Sequence, residues 1–324
     1  NHPVPAYTPD EVIEFYVDAG FTHGVSPDHI IFDCDLTNPS ESCVSETTRQ
    51  RYAITLANAQ AFIGMVKREG MPFEPMGPVQ GWSPKSMAEA AVRLEKMGYR
   101  YLAIGGVVPL KTQAIKIVLS ELRQRINPGT KIHLLGFAKA DSIQEFTSYG
   151  ITSFDSTSPL IRAFKDEKAN YYSEGFDGNL EYYTAIRIPQ ALENPRLMQG
   201  IKRGFFSAED LHKRERTALK ELRDFDRGSS TLDATLNAVM DYHQFLIRGD
   251  STSTEKQDQL LTKTAALIQR TLEHQPWKHC DCDICRDVGV EVIIFRSSNR
   301  NKRRGFHNLA VYHRHLGKVL GNAT

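Results

Sequence analysis

The sequence predicts an α/β fold built on a parallel sheet, continued by a helical segment and closed by a small metal-binding end. Three observations predict it. Short apolar segments alternate with helical ones from Thr8 to about Phe154. The pattern between about Ser207 and Leu272 is purely helical. Three cysteines, Cys280, Cys282 and Cys285, crowd together near the C-terminus.

The elements follow in order. Thr8-Pro9-Asp10-Glu11 is a capping box with proline at the first helical position, opening a helix that Gly20 stops. A strand is expected around Thr22 to Ser26, a helix from Ser45 to Glu69, and a strand from Pro75 to Val79. Ser83 caps a helix that starts at Pro84 and ends at Gly98. Tyr101 to Ile104 is a strand bounded by Gly105-Gly106, and Thr112 to Ile126 is a helix stopped by Asn127-Pro128-Gly129. Lys131 to Leu135 and Ile151 to Phe154 are the remaining strands, with a helix between Asp141 and Gly150. Residues 166 to 199 are irregular. Leu211, Leu219, Leu222 and Phe225, then Leu232, Leu236, Val239, Tyr242 and Leu246, then Leu260, Leu261, Ile268 and Leu272, form the apolar stripes of three later helices. These divisions predict three parts: 1–165 carrying the sheet, 166–275 as a mostly helical insert, and 276–324 as a zinc-binding subdomain with a basic hairpin.

Strands that alternate with helices imply right-handed crossovers, and chemistry in such folds gathers at the C-terminal strand ends. The residues there are Asp28 (or Asp33), Gln80, Gly105, Gly106, Gly136 and Asp155. A closed eight-stranded barrel needs about three strands more than the five visible, so these residues alone equally fit an open sheet.

The 324 residues carry a formal charge of +1, which excludes a molecule-wide electrostatic pull on nucleic acid and leaves only a local patch for that task. No run approaches the ~18 apolar residues of a membrane span, so no membrane partner is expected. No signal peptide is visible, though the chain starts at Asn1 rather than Met. Clustered cysteines suit a metal better than a disulfide framework and point to a reducing, cytoplasmic location.

Thiolates bind Zn²⁺ well, and a structural zinc takes four ligands. Cys280, Cys282 and Cys285 supply three. His307 is the choice for the fourth, because a strand over Val290 to Phe295 and a helix over Phe306 to Leu316 would return it to the knuckle; His279, His313 and His315 are its rivals. Cys34 and Cys43 read as plain thiols. Between the two zinc elements lie Arg296, Arg300, Lys302, Arg303 and Arg304, and from Val288 onward seven Lys or Arg face one acid, Glu291, giving +6. A rigid knob holding this cationic turn would grip phosphates.

With these pieces placed, the chain resembles the tRNA-guanine transglycosylase superfamily. Gly77-Pro78-Val79-Gln80-Gly81, Tyr101-Leu102-Ala103-Ile104-Gly105-Gly106-Val107, His133-Leu134-Leu135-Gly136-Phe137 and Phe154-Asp155-Ser156-Thr157-Ser158 are similar to its strand-end motifs, in its order. The cysteine triplet with His307-Asn308-Leu309 resembles its zinc motif. The helical insert and the segment from Asn299 to Asn308 look most like the DpdA branch, associated with inserting 7-deazaguanines into DNA. Two departures stand out: the gap from Cys285 to His307 is short, and the family's D-S-G-G-F-type motif with its essential Asp has no match.

The resemblance implies a TIM-type (β/α)8 barrel whose first three or so strands lie outside this chain. It implies exchange of guanine in DNA, or tRNA as the close variant, for a 7-deazaguanine such as 7-cyano-7-deazaguanine. Asp155 would be the nucleophile that holds the sugar covalently while bases trade places. Asp28 or Asp33 would recognise the guanine edge. Gln80 would read the purine, Gly105, Gly106 and Gly136 would let backbone approach the base, and a structural zinc would shape the docking surface. A homodimer, or partner proteins of a DNA-modification system, are the associations it suggests. The rival reading is a non-catalytic nucleic-acid-binding subunit of the same fold.

Overall fold

A computed structural model describes residues 7–31, 44–107, 109–137, 140–166, 168–175, 177–248 and 254–321. They fall into two compact units, Asn1–Thr157 and Ser158–Thr324.

The first unit is a five-stranded parallel sheet with its helices. Its elements are α1 (Pro9–Asp18), β1 (His23–Val25), α2 (Glu46–Glu69), β2 (Glu74–Val79), α3 (Pro84–Met97), β3 (Tyr101–Ile104), α4 (Thr112–Arg123), β4 (Lys131–Leu134), a 3₁₀ segment (Ala140–Tyr149) and β5 (Ile151–Phe154). The strand order is β1-β2-β3-β4-β5, so every strand lies beside its sequence neighbours and the order never reverses as it does in a doubly wound sheet. The predicted caps are where local chemistry puts them. Ser83 accepts from the Ser86 amide to start α3, and Gly98 ends it at φ 105°.

The sheet has two distinct faces, because side chains alternate along each strand. Val79, Leu102, Ile104, Ile132 and Leu134 are fully buried. Gly77 belongs to the face against α3, where an added Cβ would lie 3.0 Å from Tyr99 and 3.2 Å from Leu94. Met76, Tyr101 and Ala103 pack with Val25 and Leu135 on the other face. That second face also carries His133, Ser153 and Asp155, which sets the site.

The second unit contains α5 (Ser158–Lys165), the antiparallel pair β6 (Tyr171–Glu174) and β7 (Leu180–Tyr183), β8 (Ile186–Arg187), and the helices α6 (Pro195–Lys202), α7 (Ala208–Asp226), α8 (Leu232–Arg248) and α9 (Glu255–His274). It closes with α10 (Asp283–Val288), a 3₁₀ turn (Gly289–Val292), β9 (Ile294–Phe295) and α11 (Ser298–Val319). β8 and β9 pair in parallel. One apolar core runs from Leu211, Leu222, Val239 and Leu272 of the helices to Cys285, Val292 and Ile294. The helical segment and the cysteine segment therefore share a core, where the sequence reading separated them at residue 276.

The basic hairpin is a correction. The segment is the opening turns of α11, a helix of 22 residues, and the first half of the expected strand before it is a 3₁₀ turn. Arg300, Arg304, His307 and Asn308 recur at helical spacing, and α11 buries Arg304, His307 and Asn308 together.

Candidate active site and metal centre

The C-terminal ends of β1 to β3 hold one group of candidate residues. Gln80, 2% exposed, donates from Nε2 to Asp28 Oδ2 at 2.6 Å and accepts from the Ile31 amide at 3.2 Å. The amide read as facing a purine is thus committed to the protein, where it aims the half-buried Asp28 carboxylate. Burial raises the Asp28 carboxyl above its ordinary value, and the Gln80 bond offsets part of that. Gly105 leaves room for this amide: a Cβ there would sit 2.2 Å from Gln80 Nε2 and push it aside. Gly106 is required twice over: φ is +72°, and a Cβ would meet the Ile31 carbonyl at 2.9 Å. Asp33, Cys34 and Cys43 lie outside the described residues.

The ends of β4 and β5 hold the second group. Asp155 follows β5 directly, and its side chain is 54% exposed. Its Oδ1 accepts from the Gly136 amide at 2.9 Å and lies 3.2 Å from His133 Nε2. Gly136 turns the chain at φ +67°, which points that amide at the carboxylate. Behind Asp155, His133 Nδ1 is 2.6 Å from Ser153 Oγ, and Ser153 Oγ is 2.5 Å from the Tyr101 hydroxyl. The sequence reading gave His133, Ser153 and Tyr101 no role. A signal was present: His133 is flanked by apolar Ile132 and Leu134, so strand alternation puts it on the opposite face from them.

The metal-ligand candidates come together within the second unit. One ligand atom each from Cys280, Cys282, Cys285 and His307 lies within 4.8 Å of all the others. His307 Nδ1 is 3.6, 3.4 and 3.3 Å from the three sulfurs in turn. Edges of a tetrahedron around zinc with these ligands measure about 3.5 Å, so the donors fit that ion without rearrangement. His307 Nε2 lies 2.8 Å from the Tyr172 carbonyl, which only a protonated nitrogen can satisfy, so Nδ1 presents its lone pair to the sulfurs. Tyr171 stacks on the imidazole with centroids 4.1 Å apart. Asn308 locks the support by accepting from the Tyr172 amide and donating to the Pro159 and Asn170 carbonyls. Contact with Cys280 and then Cys285 pulls the Cys282 thiol far below its ordinary value, while the same crowding drives Cys285 up. Three sulfurs in this space cannot all be anionic without a cation among them.

Of the cations expected to meet phosphate, Arg304 is a correction. It is fully buried, donating to the Val292, Ile294 and Ala163 carbonyls and to Asn301, with its guanidinium over the Phe295 ring. Burial lowers its pKa to about 10. Arg304→Met should cost about 3 kcal/mol in urea unfolding by stranding those carbonyls, while the salt dependence of nucleic-acid binding stays as in the parent protein. Arg296 is committed to Glu215 and the Ile188 carbonyl, and Arg300 to Glu291. Lys302 and Arg303 are exposed and make no ion pair among the described residues. Among the described residues no helix is long and apolar enough to cross a membrane.

No family model matches the chain. A DNA-guanine transglycosylase of Salmonella montevideo is 41% identical over 324 residues, which takes in 99% of this chain and 74% of that protein. Identity at that level over nearly the whole chain assigns the activity class, and the chain belongs to the DNA-guanine transglycosylases, enzymes of the guanine transglycosylase type.

Proposed function

We propose that the protein exchanges guanine in DNA for a 7-deazaguanine, 7-cyano-7-deazaguanine being the first to test, through a covalent bond between Asp155 and the sugar. The observation that carries this reading is the state of Asp155. It stands at the end of a parallel strand, half exposed, with two neighbours engaging Oδ1 and, among the described residues, no hydrogen bond to Oδ2. A carboxylate held by one oxygen and open at the other is set up for attack on an anomeric carbon.

In this reading the first step forms a bond from Asp155 Oδ2 to C1′ and breaks C1′–N9, the electron pair leaving with the purine. The second step forms C1′–N9 to the incoming base and returns the pair to Asp155. The departing base gains one proton and the incoming base loses one, so the exchange is proton-neutral. Asp28 accepts from N1–H and the exocyclic amine of the base, held in place by Gln80. The target nucleotide leaves its stack to be reached. The five strands are consecutive strands of a (β/α)8 barrel, an arrangement their unreversed order supports. Cys280, Cys282, Cys285 and His307 hold zinc in a closed, four-ligand structural site that takes no part in the chemistry. Lys302 and Arg303 meet phosphate.

Labelled 7-cyano-7-deazaguanine offered with guanine-containing duplex DNA, single-stranded DNA and tRNA tests the reading. Incorporation into DNA with release of guanine is the expected result; incorporation into tRNA alone, or none, would sink it. Gly105→Ala should raise KM for the incoming base ~10-fold or more with a smaller change in kcat, because displacing Gln80 releases Asp28 and loses a charge-assisted hydrogen bond.

A further inference from the structure

The hydrogen-bond chain behind Asp155 has a direction. A carboxylate only accepts, so a bond from His133 to Asp155 requires the proton on Nε2. In the neutral ring Nδ1 is then an acceptor, and Ser153 Oγ donates to it. The Ser153 oxygen, its proton spent, accepts from the Tyr101 hydroxyl. Tyr101 is 4% exposed and the His133 side chain 14%, so water competes weakly for these groups. Three side chains on neighbouring strands β3, β4 and β5 thus settle one tautomer and deliver one N–H to one carboxylate oxygen. The strand register makes this possible: Ser153 pairs with His133, and Tyr101 sits beside Lys131, one side-chain step below it on the same face.

We infer that His133, with Ser153 and Tyr101 behind it, is a positioning residue that stabilises the carboxylate form of Asp155 against its sugar ester and so governs release of the covalent intermediate. This rests on the reading of Asp155 as nucleophile. An N–H to a charged carboxylate oxygen is a stronger bond than the same N–H to an ester carbonyl. His133 and the Gly136 amide therefore favour the free carboxylate over the ester, which makes Asp155 a better leaving group when the incoming base attacks. They also occupy Oδ1, which leaves Oδ2 as the attacking atom. Removing the imidazole should let the ester accumulate.

The test follows covalent protein–DNA adduct on a denaturing gel, with guanine-containing duplex DNA and the protein, alongside steady-state exchange. His133→Leu is expected to lower kcat about 10²-fold with KM for DNA unchanged, on the scale of losing one donor aimed at a developing charge. The same variant should raise the steady-state adduct fraction about tenfold. His133→Gln, whose amide can donate from near the Nε2 position, should return kcat to within about tenfold of the parent and the adduct fraction with it. This variant keeps the test alive if the leucine variant fails to fold. Ser153→Ala and Tyr101→Phe should each shift kcat and adduct the same way by about threefold, since they act through the tautomer alone. A fall in kcat with no rise in adduct, or a glutamine variant no better than leucine, overturns the inference. Continued exchange with no adduct in any variant, and full activity in Asp155→Ala, instead refutes the nucleophile assignment and takes the inference with it.

Discussion

Asp155→Asn is expected to lower base exchange about 10⁴-fold, the scale on which removing a covalent nucleophile acts, while the protein stays folded and still binds DNA. The structure explains why the two effects separate. Asparagine keeps an oxygen where Oδ1 accepts from Gly136 and His133, so the turn after β4 retains its bonds. It replaces the open oxygen with an amide nitrogen that cannot attack C1′. Asp155 follows its strand as a half-exposed residue, so no core contact is lost. Exchange of labelled guanine, circular dichroism and DNA retardation on the same preparation make the comparison. A variant that exchanges guanine at the parent rate would show that the chain binds nucleic acid without performing the chemistry through this residue.

Removal of the metal is the second large effect. Stripping zinc with a chelator, or making Cys285→Ser, is expected to destabilise the second unit by 5 kcal/mol or more, on the order of half the ~10–16 kcal/mol measured for zinc in small fingers. The discount reflects the apolar core that the site adjoins here. Cys285 is 3% exposed and lies in the same core as Trp277, Leu222 and Val292. Its sulfur also meets the Tyr171 hydroxyl at 3.3 Å, and Tyr171 stacks on His307, so one ligand lost loosens both strand and helix. The chain has two tryptophans, and 2%-exposed Trp277 reports on this unit. Its emission should shift to the red on chelation and recover when zinc returns. Metal analysis should find one zinc per chain before treatment. An unchanged melting curve and unchanged Trp277 emission after complete chelation would show that the cluster carries no structural load.

Much of the fold was legible because it is written in local chemistry. Ser83, Pro84 and Gly98 delimit α3 as cap, first turn and left-handed stop, and each acts within a few residues of itself. The helices from α7 to α9 stand where their apolar stripes put them. Residues 166 to 199 read as irregular from sequence, since β6 and β7 are four residues each and β8 is two. β8 is a strand only because β9, more than a hundred residues later, pairs with it. The cysteine spacing selected three ligands, and His307, rather than its rivals His279, His313 and His315, is the histidine grouped with them.

What the sequence by itself determined, then, is the order of elements through β5 and from α7 to α9, their caps and the ligand types, because periodicity, capping and spacing act over a turn or two of chain. Only the tertiary structure decided which charges are spent and which are free. Arg296 meets Glu215 and Arg300 meets Glu291, and the phase of α11 turns Arg304 inward while Lys302 and Arg303 face out. It also decided that His133 faces Asp155 and that Gln80 faces Asp28. Such pairs join residues 22 and 52 positions apart, and their contact depends on strand register and helix rotation, which no local pattern records.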